Sequence, residues 1–223
     1  RLSAEIQGLD MASRNAADAQ SLVDTADGAL QETQNVLLRM RELAVQSANG
    51  TLTDADRDHT DAEFQQLEAE ITRISANTKW AGQALLDGTA SSLSFQVGEG
   101  ANQVISITIA DMAANATGIA LDDDSLQTAA NAQTAIGALD TAIATVSTER
   151  GKLGAVSNRL SSTMSNLDQV SVNLSSSQGR IQDTDFAQET GNLAKNQILQ
   201  QAATAMIAQA NASKSSVLAL VRG

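Results

Sequence analysis

The chain holds 223 residues with 14 Lys and Arg against 26 Asp and Glu, a formal net charge of −12, so it lacks the positive field that nucleic acid or an anionic membrane surface would demand. With no Cys and a single His, His59, the chain has no material for disulfides, zinc–thiolate sites, thiol chemistry or a Ser-His-Asp triad. Pro is absent, aromatic residues make up 2%, and the longest uninterrupted aliphatic run is Val217 to Val221; this excludes a membrane-spanning stretch and points to long helices packed closely through small side chains.

The first segment, residues 2–48, carries a seven-residue repeat. One column is Leu9, Ala16, Val23, Leu30, Leu37 and Ala44; a second is Ala12, Ala19, Ala26, Thr33, Met40 and Ser47. Leu22, Ala29, Val36 and Leu43 widen the stripe. Alternating steps of three and four predict one helix buried along a single seam. Asn49-Gly50 is expected to end it, because either residue tolerates a left-handed cap. Thr53 followed by Asp54 and Asp56 reads as an N-cap with acids in the first turn, which predicts a second helix over 54–76 with Phe64, Leu67, Ile71 and Ile74 on its buried edge. A loop with Trp80, Gly82 and Gly88 follows. From Leu93 the period changes to two: Leu93, Phe95 and Val97, then Ile105, Ile107 and Ile109, separated by Gly98-Glu99-Gly100-Ala101-Asn102. That pattern predicts a β-hairpin over 92–110 lying against the helices.

Asp122, Asp123 and Asp124 suit the positive end of a third helix over 124–181. Its repeat reads Ile136, Leu139, Ile143, Val146, Arg150, Leu153, Ser157, Leu160, Met164, Leu167, Ser171, Leu174, Gln178 and Ile181. The expected fold is mainly α: an elongated antiparallel coiled-coil or helical-bundle rod over 1–181, with a small β-hairpin region at the middle of the chain. Residues 182–187 connect it to a final helix over 188–223. That helix shows Leu193, Leu199, Ala203, Met206, Ala210, Val217 and Val221 as an apolar stripe with no partner left in the chain, so it must pair with a segment ahead of Arg1 or with other copies, or remain disordered until it does.

Sites of chemistry are scarce. Asp54, Asp56 and Asp58 have calcium-loop spacing, but His59 replaces the turn glycine and Gln65 the bidentate Glu, so helix capping accounts for them better. Gly98-x-Gly100 lies between strands and reads as a turn rather than a phosphate cradle. Asp183 and Asp185 read as a polar helix break. Four Asn-x-Ser/Thr patterns, at Asn49, Asn115, Asn173 and Asn211, are short enough to arise by chance. No cofactor, metal site or catalytic residue is expected. On the first helix the segment Arg39 to Asn49 should expose Arg39, Glu42 and Gln46, with Leu43 at the edge of the stripe.

Several runs resemble bacterial flagellin: Arg41-Glu42-Leu43-Ala44-Val45-Gln46-Ser47-Ala48-Asn49, Ala12-Ser13-Arg14-Asn15-Ala16, Ile198-Leu199-Gln200-Gln201-Ala202 and Ala208-Gln209-Ala210-Asn211, with Asn158-Arg159-Leu160, Arg180-Ile181 and Asp185-Phe186-Ala187 between. The resemblance spans nearly the whole chain, in order. It implies a filament subunit for motility, secreted through the flagellar type III channel, with a rod domain and a C-terminal inner-tube helix that pairs with an N-terminal helix ahead of Arg1. Other flagellin subunits, an export chaperone at the C-terminal segment, and the filament cap and hook-junction proteins are the implied partners. A host innate receptor, Toll-like receptor 5, is implied at the matching positions Arg39, Leu43, Gln46 and Glu63. Two departures stand out: Ala212-Ser213-Lys214 replaces a frequent Pro after Gln-Ala-Asn, and no variable outer domain separates the long helices. The alternatives are a hook–filament junction protein and a flagellin-like surface binding protein using Trp80.

Overall fold

Both predicted columns of the first helix turn inward in the computed structural model, where α1 spans Leu2–Ser47 and buries Leu9, Ala12, Ala16, Ala19, Leu22, Val23, Ala26, Leu30, Thr33, Leu37, Met40, Leu43, Ala44 and Ser47. The structure describes residues 1–90, 92–115, 119–121, 125–183 and 186–222, leaving aside the side chains of residues 186 and 215–222. It divides into two units, Arg1–Ser175 and Ser176–Gly223.

In the first unit α1 runs antiparallel to α3 (Ala129–Gln182). Polar pairs along the seam fix the register: Ser171 donates to Asp10 at 3.1 Å, Ser13 to Asp168 at 3.1 Å, Arg150 to Asp27 at 2.8 Å and Arg41 to Asp140 at 2.6 Å. As residue numbers rise on one helix they fall on the other. At 1.5 Å per residue α1 is about 70 Å long. Alanines line both sides of the seam, with Ala12, Ala16, Ala19, Ala26 and Ala44 on α1 and Ala132, Ala135 and Ala142 on α3. They fill it without aromatic bulk.

One column of α3 follows the expected repeat: Leu139, Val146, Leu153, Leu160 and Leu167 are buried. The other is displaced by one residue over its first three positions, after which Ser157, Met164, Ser171 and Gln178 are half-buried as expected. Ala135, Ala142 and Glu149 are buried where Ile136, Ile143 and Arg150 are expected to be, and those three are half-buried. Arg150 still reaches α1, bonding Asp27 and Gln34, while Glu149 turns toward the segment after β4. Glu149 pays for its burial with bonds from the Ala110 N–H at 3.2 Å and from Lys152 Nζ at 2.8 Å. The helix begins later than its acidic run suggests. Thr128 Oγ1 accepts the Asn131 N–H at 3.1 Å, so a threonine caps it; Asp122, Asp123 and Asp124 lie outside the described residues.

α2 (Asp54–Asn77) opens on the expected cap: Thr53 and Asp56 form a reciprocal capping box. Phe64 and Ile71 are buried, Leu67 and Ile74 half-buried. The exit from α1 differs from expectation. Neither Asn49 nor Gly50 adopts a left-handed conformation; the buried Arg57 of α2 reaches back instead. Its Nε donates to the Ser47 carbonyl at 3.0 Å, Nη2 to the Asn49 carbonyl at 3.1 Å and Nη1 to Asp54 at 3.1 Å. A cation at a helix C-terminus satisfies orphan carbonyls and faces the negative end of the helix dipole.

The loop after α2 holds a small hairpin that the sequence reading leaves as loop: β1 (Lys79–Trp80) pairs antiparallel with β2 (Gln83–Ala84). Ala81 and Gly82 turn it with φ of 49° and 86°, which suits the tight mirror-image turn of two-residue hairpins. Trp80 is half-buried against the core. The expected hairpin is present as β3 (Leu93–Gln96) and β4 (Val104–Ile107), with Leu93 opposite Ile107 and Phe95 opposite Ile105. Asn15 donates to the Gln96 carbonyl at 3.0 Å, tying this hairpin to α1. The irregular stretches supply much of the remaining core through Leu85, Leu86, Ile109, Met112, Ala114, Ile119, Leu121 and Leu126. Asp61 accepts the Leu126 N–H at 2.6 Å and holds the approach to α3.

Hydrogen bonds to charged groups are worth about 1.5–3 kcal/mol each. Arg57→Ala is therefore expected to lower the unfolding free energy by about 2–4 kcal/mol in urea titrations followed by circular dichroism. Arg57→Lys should recover less than half of it, because an ammonium cannot fork across two carbonyls and a carboxylate.

Acid sensitivity follows from the exposed carboxylates. A Thr53 side-chain bond, joined by its backbone N–H, holds Asp56 below the ordinary carboxylate range; Arg41 does the same for Asp140 and Arg73 for Glu70, each through a side-chain bond. A carboxyl depressed on folding contributes stability above its unfolded pKa of about 4 and loses it as pH falls through the lower folded value. Thermal midpoints are expected to hold level from neutrality down to about pH 5 and to decline below about pH 4. Asp140→Asn should flatten part of that decline.

Candidate self-assembly surface

The second unit contains α4 (Phe186–Arg222), and every described side chain from Ala187 to Lys214 is exposed. Its composition is that of a helix made for burial: Leu193 is 57% exposed, Leu199 56% and Met206 71%. Leu199, Ala203, Met206 and Ala210 fall within about 60° of one another on a helix turning roughly 100° per residue, whereas Leu193 lies about 110° from their centre. Ile198 and Ile207, which the stripe as read from sequence omits, are also exposed. Each sits beside a stripe residue, a signal present in the dipeptides Ile198-Leu199 and Met206-Ile207. Together they widen the apolar surface to an arc of about 220°. An arc that wide cannot be covered by one neighbouring helix. The side chains of Val217 and Val221 lie outside the described residues.

The second candidate surface joins the end of α1 to α2. Arg39 Nε and Nη2 donate to Glu63 at 3.0 and 2.8 Å, and Nη1 donates to Glu42 at 3.0 Å. These bonds raise the Arg39 pKa, Glu63 contributing most, so the guanidinium is charged at all working pH. Gln46 is exposed two turns along the same face of α1. Leu43 is not on that surface: at 2% exposure it belongs to the core with Met40 and Phe64. Leu38 and Val45, absent from the expected set, are exposed at 46% and 50%. They lie seven residues apart outside the seam columns, and their apolar character off the stripe is the sequence signal for them.

Among the described residues no group of His, Cys, Asp and Glu could hold a metal ion, and no helix is long and apolar enough to cross a membrane. A shallow cleft of about 230 Å³ opens between α1 and α3, lined by Val23, Asp24, Asp27, Arg150, Leu153, Gly154 and Ser157; its Asp27–Arg150 pair is already satisfied.

Comparison with known proteins places this arrangement. Residues 1–91 match the bacterial flagellin N-terminal helical region and residues 136–221 the bacterial flagellin C-terminal helical region. A flagellin of Halalkalibacterium halodurans is 45% identical over 224 residues, covering all of this chain and 82% of that protein. The chain belongs to the bacterial flagellin family. A flagellin of Bacillus subtilis is 41% identical, covering all of this chain and 84% of the relative. The crystal structure of Bacillus cereus flagellin superposes with a TM-score of 0.63 at 37% identity, covering 69% of this chain and 88% of that one. A putative flagellar hook-associated protein from Vibrio parahaemolyticus reaches a TM-score of 0.68 at 16% identity over 80% of this chain and 93% of its own, a likeness of fold alone. Flagellins are a structural protein family, and this flagellin is a subunit of the flagellar filament, from which its part in motility follows.

The two surfaces differ in what they hold. Exposed ion pairs contribute about 0–1 kcal/mol, so Arg39→Ala is expected to leave the unfolding free energy within about 1 kcal/mol of the parent flagellin. Leu43→Ala empties a core site and should cost about 2–5 kcal/mol. Parallel denaturation of the two variants checks the contrast.

Proposed function

We propose that this flagellin polymerises by burying the α4 arc against other copies of the chain. The single observation behind this reading is the exposure of Leu193, Leu199, Ala203, Met206 and Ala210, continued in sequence by Val217 and Val221. Apolar area removed from water yields about 25 cal/mol per Å², and an arc covered from more than one side requires more than one neighbour. Contacts that join different surfaces of successive copies do not close, so they build a helical filament rather than a ring. The role is structural, with no reaction catalysed.

The finer partners fit the same physics. An exposed apolar helix needs cover before assembly, which suits an export chaperone on the C-terminal segment. A chain without Cys carries no cross-link against unfolded passage through a type III channel to the cell exterior, where cap and hook-junction proteins would receive it. The Arg39–Glu63 pair and Gln46 offer a host receptor such as Toll-like receptor 5 a charged, exposed patch. Leu43 would serve there by holding α1 and α2 in place. The hook-junction reading shares the fold; full-length identity to flagellins favours the filament subunit.

The test is seeded elongation of the full-length protein, followed by light scattering and electron microscopy. Leu199→Asp with Met206→Asp should abolish elongation while the melting of the first unit stays unchanged. Elongation at the parent rate would sink the role given to α4.

A further inference from the structure

The turn between α1 and α2 contains the one Asn-Gly pair of the chain, Asn49-Gly50, and four features of its surroundings favour a reaction between the two residues. Asn49 and Gly50 are both exposed, just beyond the last residue of α1, where no helical geometry restrains them. The Asn49 side chain leans forward along the chain, its Oδ1 accepting the Thr51 N–H at 3.2 Å; this ring encloses the Gly50 peptide and holds the carboxamide on the Gly50 side of Asn49. The neighbouring amides are engaged, Asn49 N–H with the Gln46 carbonyl and Leu52 N–H with the Asn49 carbonyl, whereas the Gly50 N–H has no partner among the described bonds. Glycine brings no side chain to hinder attack and leaves the backbone free to reach the required angle.

We propose that Asn49 is a self-modifying site, at which the Gly50 nitrogen converts the side-chain amide to an acid through a cyclic imide. The Gly50 nitrogen gives up its proton and attacks Asn49 Cγ. A C–N bond forms, the Cγ–Nδ2 bond breaks, and Nδ2 leaves as ammonia carrying the displaced proton. Water then opens the ring at one of its two carbonyls. Opening at Cγ restores the ordinary backbone with aspartate at 49. Opening at the main-chain carbonyl routes the chain through Cβ and Cγ and frees the α-carboxylate. Solvent water is the sole co-reactant, and no oxidation state changes.

The products act on the cap described above. The main-chain carbonyl of Asn49 accepts from Arg57 Nη2, so the second opening turns a capped carbonyl into a carboxylate facing that guanidinium and lengthens the connection by one carbon. Either product adds a negative charge beside the C-terminal end of α1, where the dipole disfavours it. A glycan on the Asn49-Gly50-Thr51 pattern would need the same Nδ2, so the two modifications exclude each other. Asp87-Gly88-Thr89 offers an internal comparison: the Thr89 N–H bonds Asp87 Oδ1 at 3.0 Å in the same turn, but Thr89 holds that carboxyl ionised, and an ionised oxygen is a poor leaving group.

The experiment incubates the folded full-length protein in mildly alkaline buffer made with oxygen-18 water, then maps peptides by mass spectrometry. Asn49 is expected to incorporate one labelled oxygen, yielding both aspartate and isoaspartate, at least about tenfold faster than Asn15, Asn102 or Asn131. Gly50→Ala is expected to slow it by about tenfold or more; an added Cβ meets nothing within 4 Å, so the variant keeps the fold. The folded rate should stand within about tenfold of the rate in urea-unfolded chain. Conversion of Asn49 no faster than that of the other asparagines, a smaller effect of Gly50→Ala, or a folded rate below that bound overturns the proposal.

Discussion

The antiparallel seam between α1 and α3 is the constraint on which the first unit rests. Alanines at Ala12, Ala16, Ala19, Ala26, Ala132, Ala135 and Ala142 are almost fully withdrawn from solvent, and small side chains let two helices approach closely enough to exclude water without aromatic bulk. Large aliphatic residues such as Leu30, Leu37, Leu139, Leu153 and Leu160 alternate with the alanines, and with no aromatic side chain in the columns the buried area is gathered over length. Long helices follow from that, and so does the recruitment of α2, two hairpins and irregular chain to cover the flanks. These additions are fastened by side chains bonded to backbone: Asn15 to Gln96, Ser75 to Leu86, Glu149 to Ala110 and Asp61 to Leu126. Each satisfies a main-chain group that loop burial would otherwise strand.

α4 has the same kind of composition and none of the cover. A helix holding Leu199, Met206 and Ile207 more than half exposed is stable in water only to the extent that something removes that surface. Propensity alone gives long helices marginal stability. On the role proposed for α4, order in this segment and assembly of the filament draw on one free energy. The net charge of −12 works against premature association by mutual repulsion between free subunits, and short-range apolar contact must exceed that repulsion at the filament end.

Periodicity made most of the first unit legible. Both α1 columns, the capping box at Thr53 and the alternation from Leu93 to Ile109 are local patterns, and each element formed where its pattern lies. What was not legible depended on partners remote in sequence. The choice between Ile136 and Ala135, or between Arg150 and Glu149, as the buried residue of α3 depends on the elements that pack against it, such as the Ala110 N–H that Glu149 accepts, which no window on α3 contains. Leu43 looks like a stripe edge on α1 alone and becomes core once α2 lies over it. The β1–β2 hairpin carries no signal in the sequence because two-residue strands leave no alternation to read, and its turn places Ala81 in a conformation usually given to Gly or Asn. On α4 the expected stripe leaves out Ile198 and Ile207, which extend the arc, and takes in Leu193, which lies off the face of Leu199, Ala203, Met206 and Ala210.

The α1–α2 connection shows how one substitution of mechanism frees a residue from duty. A glycine after a helix ordinarily earns its place by adopting positive φ as the cap. Here Arg57 satisfies the carbonyls of Ser47 and Asn49, Gly50 stays out of the left-handed region, and a Cβ would meet nothing. Neither conformation nor packing calls for glycine at position 50. What glycine still provides is an unhindered, unbonded amide beside an asparagine whose side chain is folded over it. The cap that makes the glycine conformationally dispensable therefore also leaves its nitrogen available, and the carbonyl that Arg57 grips is the one that ring opening would convert. Structural economy at the end of α1 and chemical lability at Asn49 have the same origin.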